Sequence, residues 1–393
     1  MELPVYLDNA STTPLDPRVA DAMVRCLQSS DGFGNPSTDT HALGRKARAQ
    51  VEAARDQVAA LINAARGDII WTSGATESDN LALMGAASYR RVRGHHLVTS
   101  ATEHKAVLST CQHLEQQGFR ITYLEPDRDG LIEPEAVKAA ITSDTILVSI
   151  MHANNEIGVV HDIAGIGAVC READVLFHVD AAQSAGRLPL DVQRQCIDLL
   201  SVTAHKLYGP KGIGALFLNR QRLGRIEPLM HGGAQERGLR PGTLPTHQIV
   251  GMGKAFELAA SDMDQDIVRI ASLRDRLWDG IRSVAGVVLN GHPQQRLCSI
   301  LCVSVGGVEG ESLMFGLRDL AVTSGAACNS ATDEPSYVLR SLGRSDQLAH
   351  SSIRFSLGRF TTAEEVDFAA TSFRQAVDHL HGMLPDRHAI ASG

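Results

Sequence analysis

Leu199-Leu200-Ser201-Val202-Thr203-Ala204-His205-Lys206-Leu207-Tyr208-Gly209-Pro210-Lys211-Gly212 is the stretch from which the rest of the chain can be read. Its apolar opening reads as a buried strand, and Gly-Pro-Lys-Gly as the tight turn that ends it. Gly214-Ala215-Leu216-Phe217-Leu218 then returns as another strand. An amine therefore stands where a core strand emerges. Buried or cation-flanked lysines lose basicity, and a neutral amine can form a Schiff base with an aldehyde. On this segment alone, a surface lysine at a hairpin is the plainer reading.

Two upstream segments change the balance. Leu176-Phe177-His178-Val179-Asp180-Ala181-Ala182-Gln183-Ser184 is another short strand, and it delivers Asp180 at its end. A carboxylate there can cap the following helix. It can also keep the pyridine nitrogen of pyridoxal 5'-phosphate (PLP) protonated, which the cofactor needs to act as an electron sink. Thr72-Ser73-Gly74-Ala75-Thr76-Glu77-Ser78-Asp79-Asn80 follows the strand-like Asp68-Ile69-Ile70-Trp71 and precedes apolar helical spacing at Leu81 and Met84. Small residues at a strand-to-helix junction leave backbone N–H groups open to a phosphate.

Working outward, 41–63 reads as an amphipathic helix, with Leu43, Ala47, Val51, Ala54, Val58, Leu61 and Ile62 on one side. Strand-like runs at 69–71, 96–99, 121–124, 145–150 and 175–179 alternate with helices at 106–117, 133–141 and 163–172. This pattern predicts an α/β fold with a mostly parallel central sheet covered on both faces. Sites in such sheets form at the carboxyl ends of strands, where Asp180 and Lys206 fall. After a helix near 248–260, the acidic Ser261-Asp262-Met263-Asp264-Gln265-Asp266 reads as the opening of a second long helix through Trp278. The remainder, with strands or helices at 287–290, 298–305, 311–317, 353–357 and 364–383, reads as a smaller α+β domain.

These segments, in this order, resemble cysteine desulfurases of the NifS/IscS type, within the fold-type I PLP-dependent transferases. The likeness covers nearly the whole length. It also takes in Tyr6-Leu7-Asp8-Asn9-Ala10-Ser11-Thr12-Thr13-Pro14, Gly34-Asn35-Pro36-Ser37, Thr102-Glu103-His104-Lys105 and Asn154-Asn155-Glu156-Ile157-Gly158. Ala204-His205-Lys206, Arg240-Pro241-Gly242-Thr243, Ser324-Gly325-Ala326-Ala327-Cys328 and Ile353-Arg354-Phe355-Ser356 complete it. The match is nearest to the bacterial housekeeping IscS branch. It implies a large PLP-binding domain at 16–260, with 1–15 returning to join a small domain at 261–393 that carries a catalytic cysteine loop.

The resemblance assigns Lys206 as the Schiff-base lysine, Asp180 to the pyridinium and Gln183 to the ring hydroxyl. Ala75 and Thr76 would meet the phosphate, joined by Thr203 and His205. Family members often carry Ser at the Thr203 position, which keeps the hydroxyl donor. Thr243 would reach the phosphate of the neighbouring subunit in a homodimer; otherwise it is a turn residue. His104 would stack on the cofactor ring and shuttle protons, its reference pKa lying near neutrality; otherwise it is a surface histidine at a helix start. Asn155 would contact both the cofactor and a substrate carboxylate. Arg354, on a strand that reads as buried, needs an anion, met by a substrate carboxylate or by an internal salt bridge.

Cys328 sits among Gly, Ala, Asn and Ser, a composition with no packing residues, and reads as a thiol on a mobile loop. The resemblance makes it the nucleophile that takes sulfur from L-cysteine, releases L-alanine and passes the persulfide to acceptor proteins. These acceptors serve iron–sulfur cluster assembly, tRNA thiolation or other sulfur modification. The alternative is a selenocysteine lyase or class V aminotransferase of the same fold. Housekeeping relatives end in a short tail that docks an iron–sulfur scaffold. The ending Leu384-Pro385-Asp386-Arg387-His388-Ala389-Ile390-Ala391-Ser392-Gly393 does not match it, which leaves a specialised acceptor open.

Composition narrows the remaining classes. A length of 393 residues favours two domains. A net charge of −8 without a Lys/Arg block argues against direct nucleic-acid binding. No apolar run is long enough to span a bilayer, and Met1-Glu2-Leu3-Pro4-Val5 has no signal-peptide character, so a cytoplasmic protein is expected. Seven scattered cysteines fit a reducing compartment, and none shares zinc-site spacing with histidine, so no metal is expected. Cys298 and Cys302 read as fillers on one face of a strand, and Cys26, Cys111, Cys170 and Cys196 as fillers in helices or at their edges.

Overall fold

The expected alternation of strands and helices is present in the computed structural model, which describes residues 2–28, 32–324 and 334–383. The chain runs β1 (Val5–Tyr6), α1 (Pro17–Gln28), α2 (Ala42–Leu61), β2 (Ile69–Thr72), α3 (Ala75–Arg90), β3 (His96–Ser100), α4 (Lys105–Gln116) and β4 (Arg120–Leu124). It continues through α5 (Pro134–Ala140), β5 (Thr145–Ser149), α6 (Ile163–Glu172), β6 (Leu176–Asp180), β7 (Leu199–Thr203), β8 (Gly214–Leu218) and α7 (Arg220–Leu223). The last part holds α8 (Thr246–Ile281), β9 (Val287–Leu289), β10 (Ile300–Val305), α9 (Gly310–Gly316), β11 (Leu320–Ala321) and β12 (Thr323–Ser324). It closes with α10 (Tyr337–Ser341), α11 (Asp346–His350), β13 (Ser352–Ser356) and α12 (Ala363–Gly382).

The central sheet has seven strands in the order β2-β8-β7-β6-β5-β3-β4. Only β8 runs against the others, so the sheet is mostly parallel. Its strands are apolar on both sides because both faces are covered. Period-two alternation divides the side chains cleanly. Val98, Val148, Phe177 and Leu200 pack into one core with residues of α2, α6 and α8. Their neighbours Leu97, Leu147, Leu176 and Leu199 pack into a second core with α3 and α4.

A four-stranded antiparallel sheet, β12-β13-β10-β9, forms the second body with α8 and α12. The N-terminal strand joins it: β1 pairs with β11, and Val5 and Leu7 enter its core. Helix α12 starts at a capping box, with Thr362 Oγ1 accepting from Glu365 N and Glu365 Oε2 accepting from Thr362 N.

Three local expectations differ. The acidic segment at 261–266 does not open a new helix, because α8 runs unbroken for 36 residues. Cys298 precedes β10 and packs in the small core, whereas Cys302 on β10 belongs to a different cluster, so the two do not share a strand face. Cys196 lies in a turn at φ 53° and is half-buried, not a helical filler.

Candidate active site

Five strands of the central sheet end on the same side, and each delivers residues to one cleft of about 620 Å³. The exit of β2 supplies Gly74, Ala75 and Thr76; β3 leads to His104; β5 leads to Asn155; β6 ends on Asp180; β7 leads through Thr203 to His205 and Lys206. This is the position at which open α/β sheets bind ligands.

Helix α3 points its N-terminus into the cleft. Its N-cap is Gly74, which has no side chain to cap the first turn and so leaves its N–H groups open to an anion. The turn itself is tied by Thr72 Oγ1 to Ser78 Oγ at 2.8 Å. Glycine is required at the facing position. A Cβ on Gly214 would lie 2.7 Å from the Gly74 Cα, so only glycine lets β8 begin against this turn. Glu77 puts a negative charge in the first turn, but Arg240 Nε at 3.0 Å and Ser73 N at 2.8 Å hold its carboxyl below the ordinary range.

Around the rest of the cleft, Asp180 is buried and its Oδ1 accepts from Ala182 N at 2.8 Å. His104 is the N-cap of α4, and its Nδ1 accepts from Ala106 N at 3.1 Å. Burial lowers the imidazole below its ordinary value, so it enters the cleft neutral with its proton on Nε2. Gln183 Nε2 donates to Ala10 O at 2.9 Å, and its Oε1 accepts from Arg187 Nη1 at 3.1 Å. Arg187 Nη2 also donates to the Lys206 carbonyl at 2.8 Å, which fixes the main chain under the half-buried Lys206. Thr203 Oγ1 donates to Ile213 O at 3.3 Å. His205 Nδ1 meets Thr12 Oγ1 at 3.2 Å, and burial pushes its pKa down to about 4. Asn155 Oδ1 is buried and has no hydrogen-bond partner among the described residues.

Nine of the residues singled out in the sequence thus line this cleft: Ala75, Thr76, His104, Asn155, Asp180, Gln183, Thr203, His205 and Lys206. Arg354 stands behind it. Its Nη2 bonds Asp8 Oδ1 and Ser11 Oγ, each at 2.7 Å, and its Nη1 donates to Asn155 O at 2.8 Å. The internal ion pair with Asp8 is therefore present, while Nε is buried without a partner among the described residues. Thr243 is exposed and does not line the cleft. Cys328 lies outside the described residues.

Several participants were not singled out. Ser11, Thr12, Met151 and Lys211 line the cleft as well. Beneath it, His178 is clasped by Ser149 Oγ at 2.8 Å and Ser201 Oγ at 3.0 Å, with Asp79 Oδ1 3.6 Å away. Burial pushes His178 down to about 3 and lifts the wholly buried Asp79 carboxyl well above its usual value, the nearby Asp180 adding to the rise. With His178 neutral, the two are not an ion pair. Glu103, also lifted by burial, accepts from Met151 N at 2.6 Å.

A family model for class-V aminotransferases matches residues 5–368. The chain belongs to the class-V aminotransferase family. Among its relatives is a cysteine desulfurase IscS of Shewanella woodyi, 57% identical over 98% of this chain and 95% of the relative. A solved NifS-like protein superimposes with a TM-score of 0.88 at 33% identity, covering 96% of this chain and all of the other. A solved structure of SspA in complex with cysteine matches at a TM-score of 0.80 and 38% identity, covering 91% and 100%. Members of the class-V family use PLP, and the cleft fits that cofactor. The open first turn of α3 suits a phosphate, Asp180 suits a protonated ring nitrogen, and the buried Asn155 Oδ1 lacks a donor among the described residues, which a ligand can supply.

Proposed function

We propose that this class-V enzyme is a cysteine desulfurase, converting L-cysteine to L-alanine and leaving the sulfur as a persulfide on Cys328. The observation that carries the reading is the convergence of Lys206, Asp180, His104 and Asn155 on one cleft, in a chain 57% identical to a cysteine desulfurase IscS. Bound PLP supplies an electron sink for the bond changes at the substrate's α- and β-carbons. Lys206 holds the cofactor and exchanges protons. Asp180 keeps the ring nitrogen protonated, and Gln183 orients the ring oxygen. Ala75, Thr76, Thr203 and His205 hold the phosphate. His104, neutral, covers the ring and carries a proton on Nε2. Asn155 and Arg354 orient the substrate carboxylate. The Cys328 thiolate attacks the substrate sulfur, the carbon–sulfur bond breaks, and two protons complete alanine. The balance is L-cysteine plus Cys328 thiol giving L-alanine plus Cys328 persulfide.

We further propose a homodimer in which Thr243 completes the partner's phosphate site. Its support is that Thr243 is exposed and does not line its own cleft, on a loop braced by the Arg240–Glu77 pair. Acceptor proteins such as an iron–sulfur scaffold or thiolation factors receive the sulfur. A cytoplasmic location is in keeping with free described cysteines and with the lack, among the described residues, of any helix long and apolar enough to cross a membrane. A division into 16–260 and 1–15 plus 261–393 is supported by the separate cores that the first and second halves of α8 enter.

The test is direct. Protein reconstituted with PLP is expected to be yellow, to retain the cofactor on the Lys206 peptide after borohydride reduction, and to release alanine from L-cysteine with no partner present. Protein that transfers the amino group to a keto acid but releases no alanine from cysteine would sink the reading in favour of an aminotransferase.

A further inference from the structure

The turn that carries Asn155 is held on three sides. Asn154 Nδ2 donates to Thr102 O at 2.9 Å, and its Oδ1 accepts from Glu156 N at 2.8 Å and Ile157 N at 3.0 Å. Arg354 Nη1 holds the Asn155 carbonyl at 2.8 Å. The third hold is Glu156, which is 3% exposed and whose Oε2 accepts from Ser336 Oγ at 2.5 Å. Ser336 is the N-cap of α10, its Oγ accepting from Leu339 N at 3.2 Å. The next residue, Tyr337, donates its hydroxyl to Glu103 O at 2.7 Å and lies 4.5 Å below Lys105 Nζ. The start of α10 is therefore bound to both chain segments that deliver Asn155 and His104.

We propose that Glu156 is a positioning residue for the substrate pocket: its buried bond to Ser336 fixes the Asn154–Asn155–Glu156 turn and so the Asn155 amide. The proposal rests on the reading of Asn155 as a cofactor and substrate contact. Glu156 acts through Asn155 and does not itself line the cleft.

The bond is sensitive to charge. Glu156 Oε1 is buried without a partner among the described residues, so ionisation leaves an anionic oxygen short of a donor, at a cost that exposure to water relieves. Among the described residues, the groups facing it are Ser336 at the N-cap of α10, Arg354 on β13, Lys105 at the start of α4 and Cys302 on β10. Burial raises the carboxyl to about 7, against the lowering effects of Ser336, Arg354 and Lys105. Above neutral pH the ionised group draws the turn toward water and Asn155 moves with it. Glutamine keeps the shape of the neutral acid and cannot ionise.

The experiment is equilibrium binding of L-alanine to the holoenzyme, followed by cofactor absorbance, for the parent, Glu156→Gln and Ser336→Ala at pH 6 and pH 8.5. Titrations shared by all three proteins cancel in the affinity ratio. The ratio of Glu156→Gln to parent is expected to rise by roughly three- to tenfold between the two pH values, the size of a coupling of about half to one pH unit. Ser336→Ala, which removes the hydrogen-bond donor from Glu156, is expected to bind more weakly than the parent at pH 8.5. A Glu156→Gln ratio that does not change with pH overturns the proposal. If that variant does not fold, parent-like binding by Ser336→Ala at both pH values overturns it instead. A parent enzyme that releases no alanine from L-cysteine overturns the desulfurase reading itself, a distinct failure.

Discussion

Lys206, Asp180 and the Gly74-Ala75-Thr76 turn were legible in the chain because each combines a reactive or small residue with a strand end, and strand ends are visible as the close of an apolar run. Asp79 and His178 were not. Both are wholly buried polar residues inside regular elements; the apolar neighbours of His178 point to burial, but nothing local shows that it meets Asp79, Ser149 and Ser201. Arg354 was legible as a buried cation, but its partner was not. Asp8 is 346 residues away in the chain and meets it only after β1 joins the small body. At this scale the decisive prediction concerns Cys328. Cys328→Ser is expected to stay folded and yellow and to bind cysteine, while alanine production falls at least ~100-fold, as when a covalent nucleophile is removed. Single changes at the six other cysteines should leave activity largely intact. Turnover by Cys328→Ser near the parent rate, measured as alanine released, would refute the persulfide step.

The edge strand β2 shows what tertiary contacts add to an element. An edge strand exposes unpaired N–H and C=O groups. Here a buried ion pair takes the place of a neighbouring strand: Arg55 Nη1 donates to Ile69 O at 2.9 Å, and Glu236 Oε2 accepts from Trp71 N at 2.8 Å. Arg55 and Glu236 also bond each other at 2.8 and 2.9 Å, and the guanidinium stacks 5.3 Å from the Trp71 ring centre. Removing one partner strands the other as a buried charge. Glu236→Gln is expected to lower stability by about 3 kcal/mol in urea unfolding, and Arg55→Gln by a similar amount. A loss below about 1 kcal/mol, the scale of an exposed pair, would show the bridge to be incidental. Helix α8 gives the opposite lesson. Its acidic segment reads as a boundary because Met263 is its one apolar residue, yet the helix continues. Arg18 Nη2 meets Asp262 Oδ2 at 3.0 Å and Arg359 Nε meets Asp266 Oδ2 at 2.8 Å, so distant cations stabilise the polar turn where α8 passes from one core to the other.

Over the whole molecule, two sets of buried groups oppose each other in their response to pH. Burial lowers His152 and His178 to about 3 and His161 to about 4. In the unfolded chain these rings take up protons below about 6.5, so they remove stability as pH falls from there toward their folded values. Burial raises Asp79 and Glu103, and lifts Glu156 to about 7. These acids bind protons first in the folded state, so they add stability as pH falls through that range and stop adding near the unfolded carboxyl value of about 4.5. The thermal midpoint of the holoenzyme should therefore change little from pH 6.5 to 4.5. Below that it should drop steeply, helped by loss of the Arg18-held carboxylate of Asp16, which has a pKa of about 2. A steady fall beginning at pH 6.5 in calorimetric scans would contradict this balance. The chain by itself determined the α/β alternation, the sheet's parallel character and the residues at the strand ends, because apolar period and turn chemistry are local properties. Only the tertiary structure decided which buried polar groups face one another, that Arg354 is paired with Asp8, and that Glu156 is joined to Ser336. Those contacts span tens to hundreds of residues, and burial, which sets their charge, exists only once the distant segments have packed.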